Sequence, residues 1–202
     1  MKQGCIRIKG MSPGEALRIS LLVAVTLICA GTAEAANPIP QQERDALLAL
    51  YSSTNGWAWT NADGWGGEAG TECAWYGIYC VLEGDSETGT YHVETVQLES
   101  NNLFGSLPAE LGNLTKLQFL YLSENQLTGA IPPELGNLSR LNHLHLSGNQ
   151  LTGAIPPQLA DLSCLVDLYL SRNRLTGPIP EELGNLTILG YLFLEDNQLT
   201  GA

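Results

Sequence analysis

A 24-residue unit written almost five times over dominates the second half of this 202-residue sequence. Its clearest copy is LTKLQFLYLSENQLTGAIPPELGN, Leu114 to Asn137, followed from Leu138 by LSRLNHLHLSGNQLTGAIPPQLAD. Further copies start at Leu162 and Leu186, and a degenerate one precedes them around Val93. Asn101, Asn125, Asn149, Asn173 and Asn197 keep the period. So do Gly105, Gly129, Gly153, Gly177 and Gly201, and Pro108, Pro132, Pro156 and Pro180. Several residue types holding one spacing at once mean a stack of like units, each leaning on its neighbours.

The unit itself dictates how the stack is built. Leu120 and Leu122 alternate with Phe119, Tyr121 and Ser123, so a short strand sends leucines inward and the other set to solvent. One such strand cannot bury its apolar face alone; successive strands pair in parallel at about 4.8 Å and merge their leucines into a continuous core. The Asn after each strand sits where the chain turns inward, and its amide can both donate to and accept from backbone that would otherwise be buried unpaired. The following Gly permits a tight path, and Ile-Pro suits an extended segment. Glu134-Leu135-Gly136-Asn137 and its equivalents form the outer, convex side.

The segment LTGAIPPELGNL resembles the plant-type leucine-rich repeats of receptor-kinase ectodomains, polygalacturonase inhibitors and secreted bacterial or algal proteins. The resemblance runs from about Gln41 to the end. It implies an α/β repeat fold, a right-handed leucine-rich-repeat solenoid with a parallel concave sheet and an N-terminal helical, disulfide-bonded cap. Ahead of the repeats, Ala46, Leu47, Leu50 and Tyr51 share a helical face, and Trp57, Trp59, Trp65 and Trp75 crowd into a Gly- and Asp-rich stretch. An open solenoid end would expose leucines and a bare strand edge, so this segment reads as its cover. Cys73-Ala-Trp75-Tyr-Gly77-Ile-Tyr-Cys80 matches the family's cap pattern CxWxGxxC, which implies a disulfide between Cys73 and Cys80. Residues 82–91 are polar and read as a surface loop. Cys164, where other repeats carry Lys116, Arg140 and Ile188, reads as a partly exposed, solitary thiol.

The chain divides into a signal peptide over residues 1–35, a cap over 36–92 and repeats over 93–202. Lys2, Arg7, Lys9 and Arg18 precede an apolar run from Ile19 to Ala30, and Ala33-Glu34-Ala35 offers a cleavage site. The run is short for a membrane span of about 20 residues, so no membrane insertion is expected after cleavage. The protein is expected to be secreted, extracellular or at the cell surface, or periplasmic in a Gram-negative source. Cleavage removes four basic and two acidic side chains, taking the net charge from −12 to −14. So acidic a surface repels nucleic acid and anionic membrane. Asn113, Asn137 and Asn185 begin glycosylation sequons that the LGNLT consensus also generates by itself. The last repeat stops at Gly201-Ala202, which reads as a fragment of a longer ectodomain or an end covered by a partner.

Chemistry, if present, has to sit on the outward strand positions, which stack in columns. One column is Thr95, Phe119, His143, Asp167, Tyr191; the next is Gln97, Tyr121, His145, Tyr169, Phe193; a third is Glu99, Ser123, Ser147, Ser171, Glu195. Histidine, aspartate and serine are a hydrolase kit by type, but a ladder spacing implies no oxyanion site, so no enzyme, cofactor or metal is expected. Aromatics on a rigid face with a polar rim are instead the composition of an interface. Phe119, Tyr121, His143, His145, Asp167, Tyr169, Tyr191 and Phe193 are therefore the candidate ligand-binding residues, for a protein or peptide. The alternatives are a cell-wall glycan system, in the manner of polygalacturonase inhibitors, and an adhesive or structural role.

Overall fold

The computed structural model describes residues 38–201 except residue 87, so the expected signal peptide lies outside the described residues. Each repeat contributes a three-residue strand from its LxL segment: β4 (Phe119–Tyr121), β6 (His143–His145), β8 (Asp167–Tyr169) and β10 (Tyr191–Phe193). With β1 (Ile78–Glu83) and β2 (Thr90–Gln97) they form one sheet, in the order β1-β2-β4-β6-β8-β10. All neighbours are parallel except β1 and β2, which are antiparallel. The inward leucines 120, 144 and 168 are fully buried, as are Leu122, Leu146 and Leu170 two residues on. Each such side chain contributes about 1.5–3 kcal/mol of burial, and it does so only because the next repeat covers it.

Behind each strand the asparagine closes the turn. Asn149 accepts from the Leu127 amide at 3.0 Å and donates to the carbonyls of Leu122 and Leu146 at 3.0 and 3.1 Å. Asn125, Asn173 and Asn197 repeat that pattern one repeat away each time. Asn101 instead grips the cap, accepting from the Asn61 amide at 2.7 Å and donating to its carbonyl at 2.8 Å. The residue before each asparagine (Ser100, Glu124, Gly148, Arg172, Asp196) is left-handed, with φ between 52° and 67°.

Past the bend lies a feature the sequence did not disclose. Phe104–Ser106 (β3) pairs with Gln126–Thr128 (β5), and Thr152–Gly153 (β7), Arg174–Pro178 (β9) and Gln198–Thr200 (β11) form a second parallel set. Once the leucines fix the stack, equivalent segments run side by side and bond to one another. Short 3-10 turns, such as Pro133–Asn137, complete the outer side.

The cap begins with α1 (Gln41–Ser53), which buries Ala46, Leu47 and Leu50. Trp59, Trp65 and Trp75 are buried and pack ring on ring at centroid distances of 4.9 and 5.1 Å, whereas Trp57 is 80% exposed. Arg44 lies 5.3 Å over Trp75, pairs with the buried Glu72 and donates to the Gly67 carbonyl. Glu43, on the same helix, is buried because it accepts from the Val93 amide at 2.8 Å and contacts His92 Nδ1 at 2.7 Å. Residues 82–91 are corrected from a plain surface loop: they finish β1 and start β2, a hairpin with its turn near Gly84. Cys164 is buried, and its thiol is not free, against the expectation of an exposed solitary one.

Cys73 and Cys80 are joined by a disulfide across a separation of 7 residues. Closing so short a loop removes little chain entropy, so reduction should lower the unfolding free energy by about 2–3 kcal/mol. Denaturant melts with and without reductant measure this, and identical midpoints would show that the bond contributes nothing.

Candidate binding face

Pairing registers place His143 opposite Asp167 and Phe119, and His145 opposite Tyr169 and Tyr121. Tyr191 and Phe193 follow beside Asp167 and Tyr169. All eight candidate residues thus share one face, because inward leucines alternate with them along every strand. His145 stacks flat on Tyr169, with ring centres 4.1 Å apart and planes 1° apart. Tyr121 flanks its other side at 4.7 Å. Phe119 lies over His143 at 5.1 Å, and Phe193 meets Tyr169 edge-on at 4.6 Å. Tyr191 and Phe193 are 52% and 40% exposed, and the inward Leu192 between them is 40% exposed as well, since no further described repeat covers this strand.

Electrostatics differ sharply between neighbours. Asp167 Oδ2 sits 2.5 Å from His143 Nδ1 and 4.0 Å from His145 Nε2. Burial pushes His145 down to about 4; His143 acts in the same direction and Asp167 opposes both. His145 is therefore neutral at physiological pH. Burial, helped by Asp167 and Glu99, holds the Tyr121 phenol far above its usual value, and burial also raises Tyr169 and Glu99. Ser147 and Ser171 hydrogen-bond each other at 2.9 Å, and Asp167 contacts the His143 ring at 2.5 Å. Beside the face, Glu83 receives Lys116 at 2.8 Å and is held below its usual value by that bond.

Family models for leucine-rich repeats match residues 115–163 as two copies, and residues 92–114 and 164–186 as single repeats. No curated protein matches. A chain of the BIR3–SERK2 complex from Arabidopsis thaliana is 34% identical, covering 78% of this chain and 84% of that one, with a TM-score of 0.62. The BIR2 ectodomain from the same plant is 32% identical over 81% of this chain and 83% of its own, at a TM-score of 0.67. The chain belongs to the plant-type leucine-rich-repeat family.

A third relative shows how the family's structures extend. It is the leucine-rich-repeat ectodomain of the Arabidopsis thaliana receptor kinase GASSHO1/SCHENGEN3 in complex with CASPARIAN STRIP INTEGRITY FACTOR 2. It is 35% identical over 79% of this chain and 18% of that one, at a TM-score of 0.67. Among the described residues of the present leucine-rich-repeat chain, no helix is long and apolar enough to cross a membrane.

The columns reach further than the repeats. Tyr79 on β1 pairs with Thr95 and is 42% exposed, so the first column continues into the cap as Tyr79, Thr95, Phe119, His143. With Tyr76, Gly77, Gln97 and Glu99 it lines a shallow depression at the sheet edge. The alternation Ile78-Tyr79-Cys80 carried that signal, but the CxWxGxxC pattern around it drew Tyr79 into the cap. His143, His145 and Asp167 also come close enough to share an ion, with ligand atoms within 4.8 Å of one another.

Proposed function

We propose that this chain is a non-catalytic binding module, exported from the cell, that takes a protein or peptide partner on the outward face of its main sheet. The observation that supports this most is the run of half-buried rings Phe119, Tyr121, His145 and Tyr169, packed side by side on a face whose core demand the leucines of the same strands already meet. Complexes among the relatives, BIR3 with SERK2 and GASSHO1/SCHENGEN3 with its factor, support a proteinaceous partner over a glycan. The acidic balance of the sequence favours a basic or neutral partner.

Selecting binders from a displayed peptide library against the immobilised full chain tests the reading. Tyr169→Ala and Phe193→Ala should each weaken the selected binders by about 1–2 kcal/mol, roughly 5–30-fold in Kd, as interface anchors do. Glu134→Ala, on the outer turn, should leave Kd unchanged. Binders indifferent to both aromatic variants would place the interface elsewhere and sink the assignment.

A further inference from the structure

We propose that His143, His145 and Asp167 form a site for one transition-metal ion of the zinc class, held on the outward face of β6 and β8. Two imidazoles and a carboxylate converge there from adjacent strands, their ligand atoms within 4.8 Å of one another. Around a tetrahedral ion with bonds of about 2.0–2.1 Å, ligand atoms stand about 3.3 Å apart. His145 Nε2 and Asp167 Oδ2, at 4.0 Å, have to close slightly, and His143 Nδ1 and Asp167 Oδ2, at 2.5 Å, have to open slightly. Both adjustments are side-chain rotations that leave the strand pairing untouched.

Two unsatisfied atoms point the same way. His145 Nε2 and Asp167 Oδ1 are shielded from solvent and have no hydrogen-bond partner among the described residues. Leaving such atoms unpaired is costly; a cation held by the three side chains would satisfy His145 Nε2 directly, and Asp167 Oδ1 where the carboxylate binds through both oxygens. The rings are also pre-set: the flat stack on Tyr169 and the flanking Tyr121 fix the plane of His145, and Phe119 fixes that of His143. Aromatic packing thus supplies the orientation that outer-shell hydrogen bonds give in other sites. Nitrogen ligands select zinc, cobalt or nickel over calcium and magnesium, which need six or more oxygens or near-octahedral oxygen geometry. Three protein ligands leave one coordination position of a tetrahedral ion for a water or an anion. The chain alone supplies the three ligands, so the site can be tested without a partner.

The test uses the full chain without a histidine tag, titrated with Zn2+ alone by calorimetry and with Co2+ alone by visible absorption. One Zn2+ per chain should bind, and Co2+ should give the intense visible bands of a four-coordinate site. Asp167→Asn and His145→Ala should weaken Zn2+ by more than the roughly 10–100-fold that follows loss of an outer-shell group. His92→Ala should change neither signal, since that histidine is turned to Glu43 and Glu83 in the cap region. The Co2+ spectrum of the parent protein gives an answer even if one variant fails to fold. The proposal is overturned by absence of one-to-one binding, by zinc that survives both site variants, by loss of binding in His92→Ala, or by equal displacement with Ca2+.

Discussion

Replacing Asn149 by alanine is expected to lower the unfolding free energy by about 2–4 kcal/mol. The side chain is buried and ties together two repeats: the Leu127 amide and the Leu122 carbonyl of the preceding repeat, and the Leu146 carbonyl of its own turn. The losses are unequal. Leu122 and Leu146 each keep another asparagine donor, from Asn125 and Asn173 respectively. The Leu127 amide is the group left without its partner, at about 1–3 kcal/mol, and the space vacated by the amide adds to that. Gln150→Ala, one residue on and half-buried outside the ladder, should change stability by less than about 0.5 kcal/mol. Urea melts of the two variants measure the difference. Equal midpoints would mean that the asparagines merely occupy the bend.

How much of this could be read in the chain depends on range. The period alone specifies which residues lie side by side, because strands pair in register when units repeat without insertions; His143 beside Asp167 follows from their separation of 24 residues. The parallel sheet was legible for the same reason, and the disulfide-bonded cap through the resemblance of residues 73–80 to the family pattern CxWxGxxC. The second strand of each repeat was not, since Gln126–Thr128 carries a single apolar residue, Leu127, where the first strand is flagged by the leucine pair Leu120 and Leu122. Glu43 reads as a solvated helix residue until the Val93 amide arrives from 50 residues away. The hairpin over Ile78–Glu83 and Thr90–Gln97 was hidden by the charges of Glu83 and Asp85, which mark its turn rather than a whole loop. Cys164 was misjudged because Lys116 and Arg140 can extend past a site where a short side chain stays covered.

Substitution of Gly77 by alanine is expected to be the more damaging change, lowering stability by about 3–5 kcal/mol. Gly77 sits within CxWxGxxC, inside the loop that the disulfide closes and one residue before the first strand of the sheet, with φ at 77°. A side chain there pays the left-handed penalty of about 1–2 kcal/mol. It also meets matter: the added methyl would overlap the Gln97 carbonyl oxygen and lie 2.9 Å from Leu98 Cδ2. Backbone cannot swing aside as a flexible side chain can, so overpacking adds about 1–3 kcal/mol or more. Gly66 supplies the control, because its φ is 76° and nothing lies within 4 Å of the same added methyl. Gly66→Ala should therefore show the backbone strain alone, about 1–2 kcal/mol. The gap between the two variants isolates the collision. That collision matters for the face as well, since the Gly77 carbonyl accepts from the Gln97 amide at 2.7 Å and starts the pairing that sets Tyr79 beside Thr95. Gly77→Ala should push β1 away from β2, expose the edge of the parallel sheet and raise the tendency to self-associate, read by light scattering alongside the melt. Equal melting of the two variants would show that the hairpin rides on the repeats without contact pressure, and that the conformation of the glycine is all the motif requires.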